Sequence, residues 1–143
     1  MKKCGDVMTI DPFCCLPGDS VVKVAQSMKD LNVGSIPVVE NENSEKLIGI
    51  ITDRDITLNV VACNLSPSET RVQDAMSRDL IVCRPEEPVT EAINAMAAHQ
   101  VRRIPVVDEE NKIVGIISQG DVALRLNDPE TTGDVVAEIS EQG

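Results

Sequence analysis

The chain has 143 residues, a formal net charge of −11 and one aromatic residue, Phe13. That length suits one ordinary domain or two small units sharing a core, and the core must be built from Val, Ile, Leu, Met and Ala. So acidic a surface repels nucleic acid, and no apolar run reaches the roughly 18 residues a membrane span needs. The opening Met1-Lys2-Lys3-Cys4-Gly5-Asp6 leads into no apolar h-region, so a soluble cytoplasmic protein is expected. Five cysteines (Cys4, Cys14, Cys15, Cys63, Cys83) lack C-x-x-C spacing and there is a single histidine, so no metal site is expected and the thiols read as reduced.

In chain order, Phe13–Cys15 reads as a short strand, and Asp19 as the N-cap of a helix with Val21, Val24, Ala25, Met28 and Leu31 on one face. "SIPVV" from Ser35 and "LIGIIT" from Leu47 then read as a hairpin of buried strands around the polar loop Glu40 to Glu45. A short helix over about Arg54–Val61 closes the pattern, and Asn64–Thr70 is a polar connector.

The pattern then starts again. "DVMTID" at Asp6 returns as "DAMSRD" at Asp74, a shift of 68 that also carries Cys15 to Cys83, Val21 to Val89 and Ile36-Pro37 to Ile104-Pro105. After the hairpin loop, two residues shorter in the second copy, the shift is 66, and "GIITDRDI" from Gly49 matches "GIISQGDV" from Gly115. The second copy predicts a strand over Ile81–Cys83, a helix with Val89, Ala92, Ile93 and Met96 inward, an N-cap at Glu87 with Pro88 opening the helix, the hairpin "RIPVV" and "IVGIIS", and a helix over Gly120–Leu126. The fold class is α/β of the α+β type, two β-α-β-β-α units over 5–63 and 71–127 with 64–70 as linker. A unit of about 55 residues with one apolar helix face buries too little to stand alone, so the two should pack about a pseudo-twofold axis. Residues 128–143 form an acidic tail in which "DVVAEIS" is a candidate helix.

No nucleophile–base pair is visible, so no enzymatic activity is expected. His99 reads as a solvent-facing residue near a helix C-terminus, and Cys14-Cys15 as small packing residues on opposite faces of a strand. The feature that carries chemistry is Thr52-Asp53-Arg54-Asp55, matched by Ser118-Gln119-Gly120-Asp121. In each, a hydroxyl ends a buried strand and a carboxylate follows in the first turn of a helix. A hydroxyl and helix N–H groups there can receive phosphate oxygens, and the carboxylate can accept the two hydroxyls of a ribose. The same spacing is a capping box, which needs no ligand, and the two readings are compatible. Arg54, Arg102 and Arg103 fall at the same end of the strands, where a phosphate needs counter-charge. Ile36-Pro37 and Ile104-Pro105 offer apolar walls for a purine.

With these residues in view, the tandem "IPVV" and "GIITDRD"/"GIISQGD" units strongly resemble a pair of cystathionine-β-synthase (CBS) domains, the Bateman module, over about residues 5–127 of a small stand-alone chain. The resemblance implies a cleft on each side of the pseudo-twofold, adenosine ligands such as AMP, ADP, ATP or S-adenosylmethionine, no required cofactor, and a homodimer. It implies ribose contacts from Asp55 and Asp121, and phosphate contacts from Thr52, Ser118, Arg54, Arg102 and Arg103. The adenine pocket would then comprise Ile36, Pro37, Ile104, Pro105, Val82 and Cys83. Gly34-Ser35 stands where the second copy has Arg102-Arg103, so the two sites should be unequal. The expected function is a nucleotide-responsive, energy-sensing regulatory module that signals to a partner protein; the alternative is a constitutive interaction scaffold with no bound nucleotide.

Overall fold

The computed structural model describes residues 2–125. In chain order it contains α1 (Cys4–Val7), β1 (Thr9–Ile10), α2 (Val21–Leu31), β2 (Ser35–Val39), β3 (Leu47–Thr52), α3 (Asp53–Ile56), which runs on into a π-helical turn at Thr57–Val61, α4 (Val72–Ala75), α5 (Val89–His99), β4 (Arg103–Val107), β5 (Ile113–Ser118) and α6 (Gln119–Arg125). The tail from 128 to 143, expected to be acidic and partly helical, lies outside the described residues.

The two long helices form for the same reasons. Val21, Val24 and Met28 of α2, and Val89, Ala92, Ile93, Met96 and Ala97 of α5, recur at helical period and are buried. Both helices end on a left-handed residue, Asn32 and Gln100, each at φ 56°. The following amides, Val33 and Val101, close back on the Met28 and Met96 carbonyls at 3.0 Å. The caps fall one residue later than the sequence pattern placed them. Ser20 caps α2 by accepting the Lys23 amide at 3.2 Å, while Asp19 accepts the Leu16 amide and closes the preceding turn. Pro88 precedes α5 without a side-chain cap, and the Val89 amide is instead taken by the Lys2 carbonyl at 3.0 Å. The expected short strands reduce to single parallel bridges, Cys15 to Val38 and Cys83 to Val106.

The residues fall into two compact units, Phe13–Leu80 and Met1–Pro12 with Ile81–Gly143. These differ from the sequence repeat in one respect: each repeat lends its opening residues, up to Pro12 in the first and Leu80 in the second, to the unit built around the other. In the unit of Phe13–Leu80, β2 and β3 form an antiparallel hairpin, Cys15 borders β2, and Ser77 pairs with Ile50 at the outer edge of β3. Its core joins Val21, Val24, Ile36, Val38, Ile51 and Val60 to Val72 and Ala75 of α4. The π turn brings Val60 into that core, and the Asn59 side-chain Nδ2 donates to the Ala75 carbonyl at 3.0 Å.

The other unit repeats this plan: β4 pairs with β5, Cys83 borders β4, and β1 adds to the outer edge of β5 through Thr9–Ile116 and Ile10–Gly115. Its core gathers Cys4, Val7, Cys83, Val89, Ile93, Met96, Ile104, Val106 and Ile117. The donated segments dock alike. Cys4 and Gly5 amides bond the Glu87 and Pro85 carbonyls at 2.8 and 2.9 Å, as Val72 and Gln73 amides bond Asp19 and Pro17 at 2.9 and 3.0 Å. Glycine is needed where the donated strand crosses the hairpin. A Cβ on Gly115 would lie 2.5 Å from Met8 Sδ and 3.0 Å from the Thr9 carbonyl, and one on Gly49 would lie 2.8 Å from Met76 Sδ and 2.9 Å from the Ser77 carbonyl.

Gly115→Ala should therefore lower stability by about 1–3 kcal/mol, because the Thr9 backbone cannot retreat without breaking its pairing. Gly18→Ala, whose added methyl meets only an arginine nitrogen at 3.7 Å, serves as control. Guanidinium unfolding followed by circular dichroism checks this; equal midpoints for the two variants would contradict it.

Candidate functional site

Each unit has one corner where its hairpin ends and a helix begins. At the first, Thr52 closes β3 and caps α3. The Asp55 amide donates to Thr52 Oγ1 at 3.0 Å, and the Thr52 amide donates to Asp55 Oδ2 at 2.9 Å. At the second, the Asp121 amide donates to Ser118 Oγ and the Ser118 amide donates to Asp121 Oδ2, both at 3.0 Å. Reciprocal bonding fixes the rotamers of hydroxyl and carboxylate, so the corners are ordered without a ligand. The cap engages Oδ2 of each carboxylate and does not use Oδ1.

The corners differ in how that oxygen is used. Asp121 Oδ1 accepts the Thr9 hydroxyl at 3.1 Å, across 112 residues of sequence. Ser77, the counterpart of Thr9, turns its hydroxyl to the Asp79 amide at 3.3 Å, and no bond joins it to Asp55. Thr9 was not singled out from the sequence, although the matched hydroxyls of "DVMT" and "DAMS" carried the signal.

They differ in charge as well. Arg103 stands opposite Ser118 in the β4–β5 register. Burial lowers its pKa while Asp121 acts in the opposite direction, which places guanidinium and carboxylate in each other's field. Arg102 is exposed, and its carbonyl accepts the Gln119 amide at 3.0 Å. In the other unit Gly34 and Ser35 occupy these places; Ser35 faces Thr52, and the Gly34 carbonyl accepts the Asp53 amide at 2.9 Å. The Asp53 carboxylate crowds Gly34, at 3.0 Å from where a Cβ would stand, and bonds the Arg54 amide at 2.8 Å. Arg54 itself is exposed. The Asp121 corner thus carries Arg102 and Arg103 against one carboxylate, and the Asp55 corner carries Arg54 against two.

Of the residues assigned to an adenine pocket, the side chains of Ile36, Ile104 and Cys83 are spent in the cores, at 1%, 0% and 2% exposure. Pro37 and Pro105 are buried too, and their carbonyls accept the Cys15 and Cys83 amides at 3.0 and 3.1 Å. Val82, 37% exposed, is the apolar side chain of that group open to solvent. His99 is exposed in the last turn of α5. Among the described residues no cluster of three or more His, Cys, Asp or Glu is placed to hold a metal ion, and no helix is long and apolar enough to cross a membrane.

This architecture has relatives. YlbB of Bacillus subtilis, an uncharacterized protein, is 40% identical over 99% of this chain and 93% of its own length. The CBS domain-containing protein YhcV of the same organism is 37% identical over 99% of this chain and 98% of its own. Among solved structures, the CBS domain pair of protein MJ0100, crystallised in complex with 5′-methylthioadenosine and S-adenosyl-L-methionine, superposes with a TM-score of 0.74 at 27% identity, covering 87% of this chain and 94% of that one. The CBS domain model matches twice, at residues 4–62 and 72–128. The chain therefore belongs to the CBS domain family and carries two such domains in tandem.

Proposed function

We propose that this chain is a non-catalytic regulatory module that binds an adenosine nucleotide at the Asp121 corner and signals its occupancy to a partner protein. The observation that carries the reading is the preorganised pair of Ser118 and Asp121 with Arg103 in the field of that carboxylate. Asp121 accepts the ribose hydroxyls. A carboxylate oxygen has room for more than one donor, so Oδ1 can hold Thr9 and a ribose hydroxyl together, or exchange one for the other. Ser118, Arg102 and Arg103 take the phosphate, with the guanidinium groups offsetting the repulsion of a chain at net −11. Val82 is the exposed apolar side chain on offer to the purine, and the buried Ile104, Pro105 and Cys83 back the strands around it.

At the Asp55 corner the same roles fall to Asp55 for ribose and to Thr52 and Arg54 for phosphate, with Ile36 and Pro37 behind them. A second carboxylate at Asp53 and the absence of the arginine pair make it the weaker site. The adenosine ligands of the MJ0100 domain pair support the ligand class. Signalling follows if nucleotide binds one arrangement of the module more tightly than another, by no more than that difference in affinity. The readout would pass to a regulated protein, in a homodimer of this chain.

One observation favours a second reading, a constitutive scaffold: both carboxylates are already engaged in capping boxes that need no nucleotide.

Calorimetric titration of nucleotide-stripped protein with AMP, ATP and S-adenosylmethionine separates the two. Saturable binding near one site per chain is expected. Arg103→Met should weaken it about tenfold or more, as loss of a charged hydrogen bond dictates, whereas Arg54→Met should leave it nearly unchanged. The absence of heat from all three ligands would favour the scaffold. A second expected outcome concerns the caps. Asp55→Ala and Asp121→Ala should each cost about 0.5–2 kcal/mol in chemical unfolding, but only Asp121→Ala should abolish binding. Equal binding by both variants would contradict the assignment to the second corner.

A further inference from the structure

The second corner contains a buried acceptor that nothing uses. Gln119 opens α6 between Ser118 and Asp121, and its backbone amide is fixed on the Arg102 carbonyl at 3.0 Å. The side chain is half-buried, and its Oε1 is buried with no hydrogen-bond donor among the described residues. A carbonyl oxygen so placed gives up its bonds to water and gains none, and folded proteins leave few of them. A glutamine cannot carry its oxygen far from its own Cα, so this acceptor lies close to the turn that Ser118 and Asp121 cap.

The internal repeat shows that capping does not call for it. At the first corner the counterpart is Asp53, whose carboxylate accepts the Arg54 amide at 2.8 Å. That corner closes an equivalent capping box, and among the described residues it orphans no buried side-chain oxygen. Gln119 thus adds to the second corner an uncharged acceptor with nothing to accept. The neighbouring carboxylate has the opposite condition. Asp121 Oδ2 accepts the Ser118 amide, and Oδ1 accepts the Thr9 hydroxyl at 3.1 Å, which leaves Oδ1 room for one further donor. A ribose presents two adjacent hydroxyls.

We propose, on the reading of this corner as the nucleotide site, that Gln119 Oε1 accepts one ribose hydroxyl while Asp121 Oδ1 accepts the other, which makes the corner selective for ribonucleotides over deoxyribonucleotides. The phosphate oxygens of a nucleotide are acceptors and have nothing to give an amide oxygen. The exocyclic amine of the base is the remaining donor, and position favours the sugar over it. Gln119 sits in the turn between the hydroxyl that takes phosphate and the carboxylate that takes ribose. Val82, the side chain on offer to the purine, precedes Cys83, which borders β4 at Val106, three residues along from Arg103. Selectivity follows from burial: a deoxynucleotide lacking the matching hydroxyl would leave Oε1 covered and still without a donor. An amide does this without adding negative charge beside the phosphate, as the carboxylate of Asp53 does at the other corner.

Calorimetric titration of the nucleotide-stripped full chain with AMP, 2′-deoxy-AMP, 3′-deoxy-AMP and inosine monophosphate, which lacks the exocyclic amine, tests this. Each titration is repeated on Gln119→Met, which keeps the side-chain length and removes the oxygen. The native chain should bind both deoxynucleotides about tenfold or more weakly than AMP. Gln119→Met should bind AMP about tenfold more weakly and should no longer distinguish it from one of the two deoxynucleotides. The ratio of AMP to inosine monophosphate affinity should be the same in both proteins. Without nucleotide, Gln119→Met should unfold at the same guanidinium concentration as the native chain or a higher one, because the oxygen it loses has no partner. Equal AMP affinity in the two proteins, a changed inosine ratio in place of lost ribose discrimination, or a lower unfolding midpoint for the variant would overturn the role of Gln119 and leave the nucleotide reading standing. Binding of none of the four nucleotides by the native chain would overturn both.

Discussion

The rest of the structure depends on one backbone contact, the crossing of a short donated strand over a glycine in the hairpin of the opposite repeat. At Gly115 and at Gly49 the incoming chain comes so close that any side chain would strike a carbonyl. That approach lets Thr9 pair with Ile116 and Ser77 pair with Ile50. It also seats α1 and α4 beneath their adoptive sheets, where Cys4 with Val7 and Val72 with Ala75 complete the cores. Neither repeat therefore builds a compact unit from its own residues alone. A small α+β motif with one helix face has too little apolar surface to bury by itself, and borrowing a segment from its twin is one way to gain more.

The two near-identical corners are nonetheless chemically unlike. Both begin as capping boxes, because a strand ending in a hydroxyl residue and running into a helix must satisfy its first amides. What each corner becomes is decided by residues that arrive from elsewhere. Thr9 arrives on the donated strand and reaches Asp121, while Ser77 arrives at the equivalent place and bonds Asp79. Arg103 arrives across the hairpin register where the other unit has Ser35. A cap is thus the shared scaffold, and the chemistry laid on it differs between copies.

Much of this was legible in the sequence. The repeat at a shift of 68, the two hairpins, the amphipathic helices and the pairing of Thr52 with Asp55 and of Ser118 with Asp121 follow from periodicity and spacing, which act over a few residues. The donated strands were not legible, because "DVMT" and "DAMS" sit beside their own repeats in sequence and only the fold shows which hairpin they join. For the same reason Thr9 escaped notice, its partner being 112 positions away. The isoleucines and prolines of the "IPVV" strands read as ligand walls in sequence, yet in the fold Ile36 and Ile104 face the cores, since a strand covered by a helix turns its bulkiest side chains inward. The α2 cap lies one residue later than propensity placed it because Asp19 is drawn into the preceding turn.

The most direct measurement of the account is a nitrogen-15 NMR titration of the isotopically labelled full chain with AMP. The account predicts saturable shifts at the amides of Thr9, Ser118 and Asp121 and at the Arg103 side chain, moving together with one midpoint, while Thr52 and Asp55 stay nearly still. No saturable shift at these positions, or shifts centred on Thr52 and Asp55 instead, would contradict it.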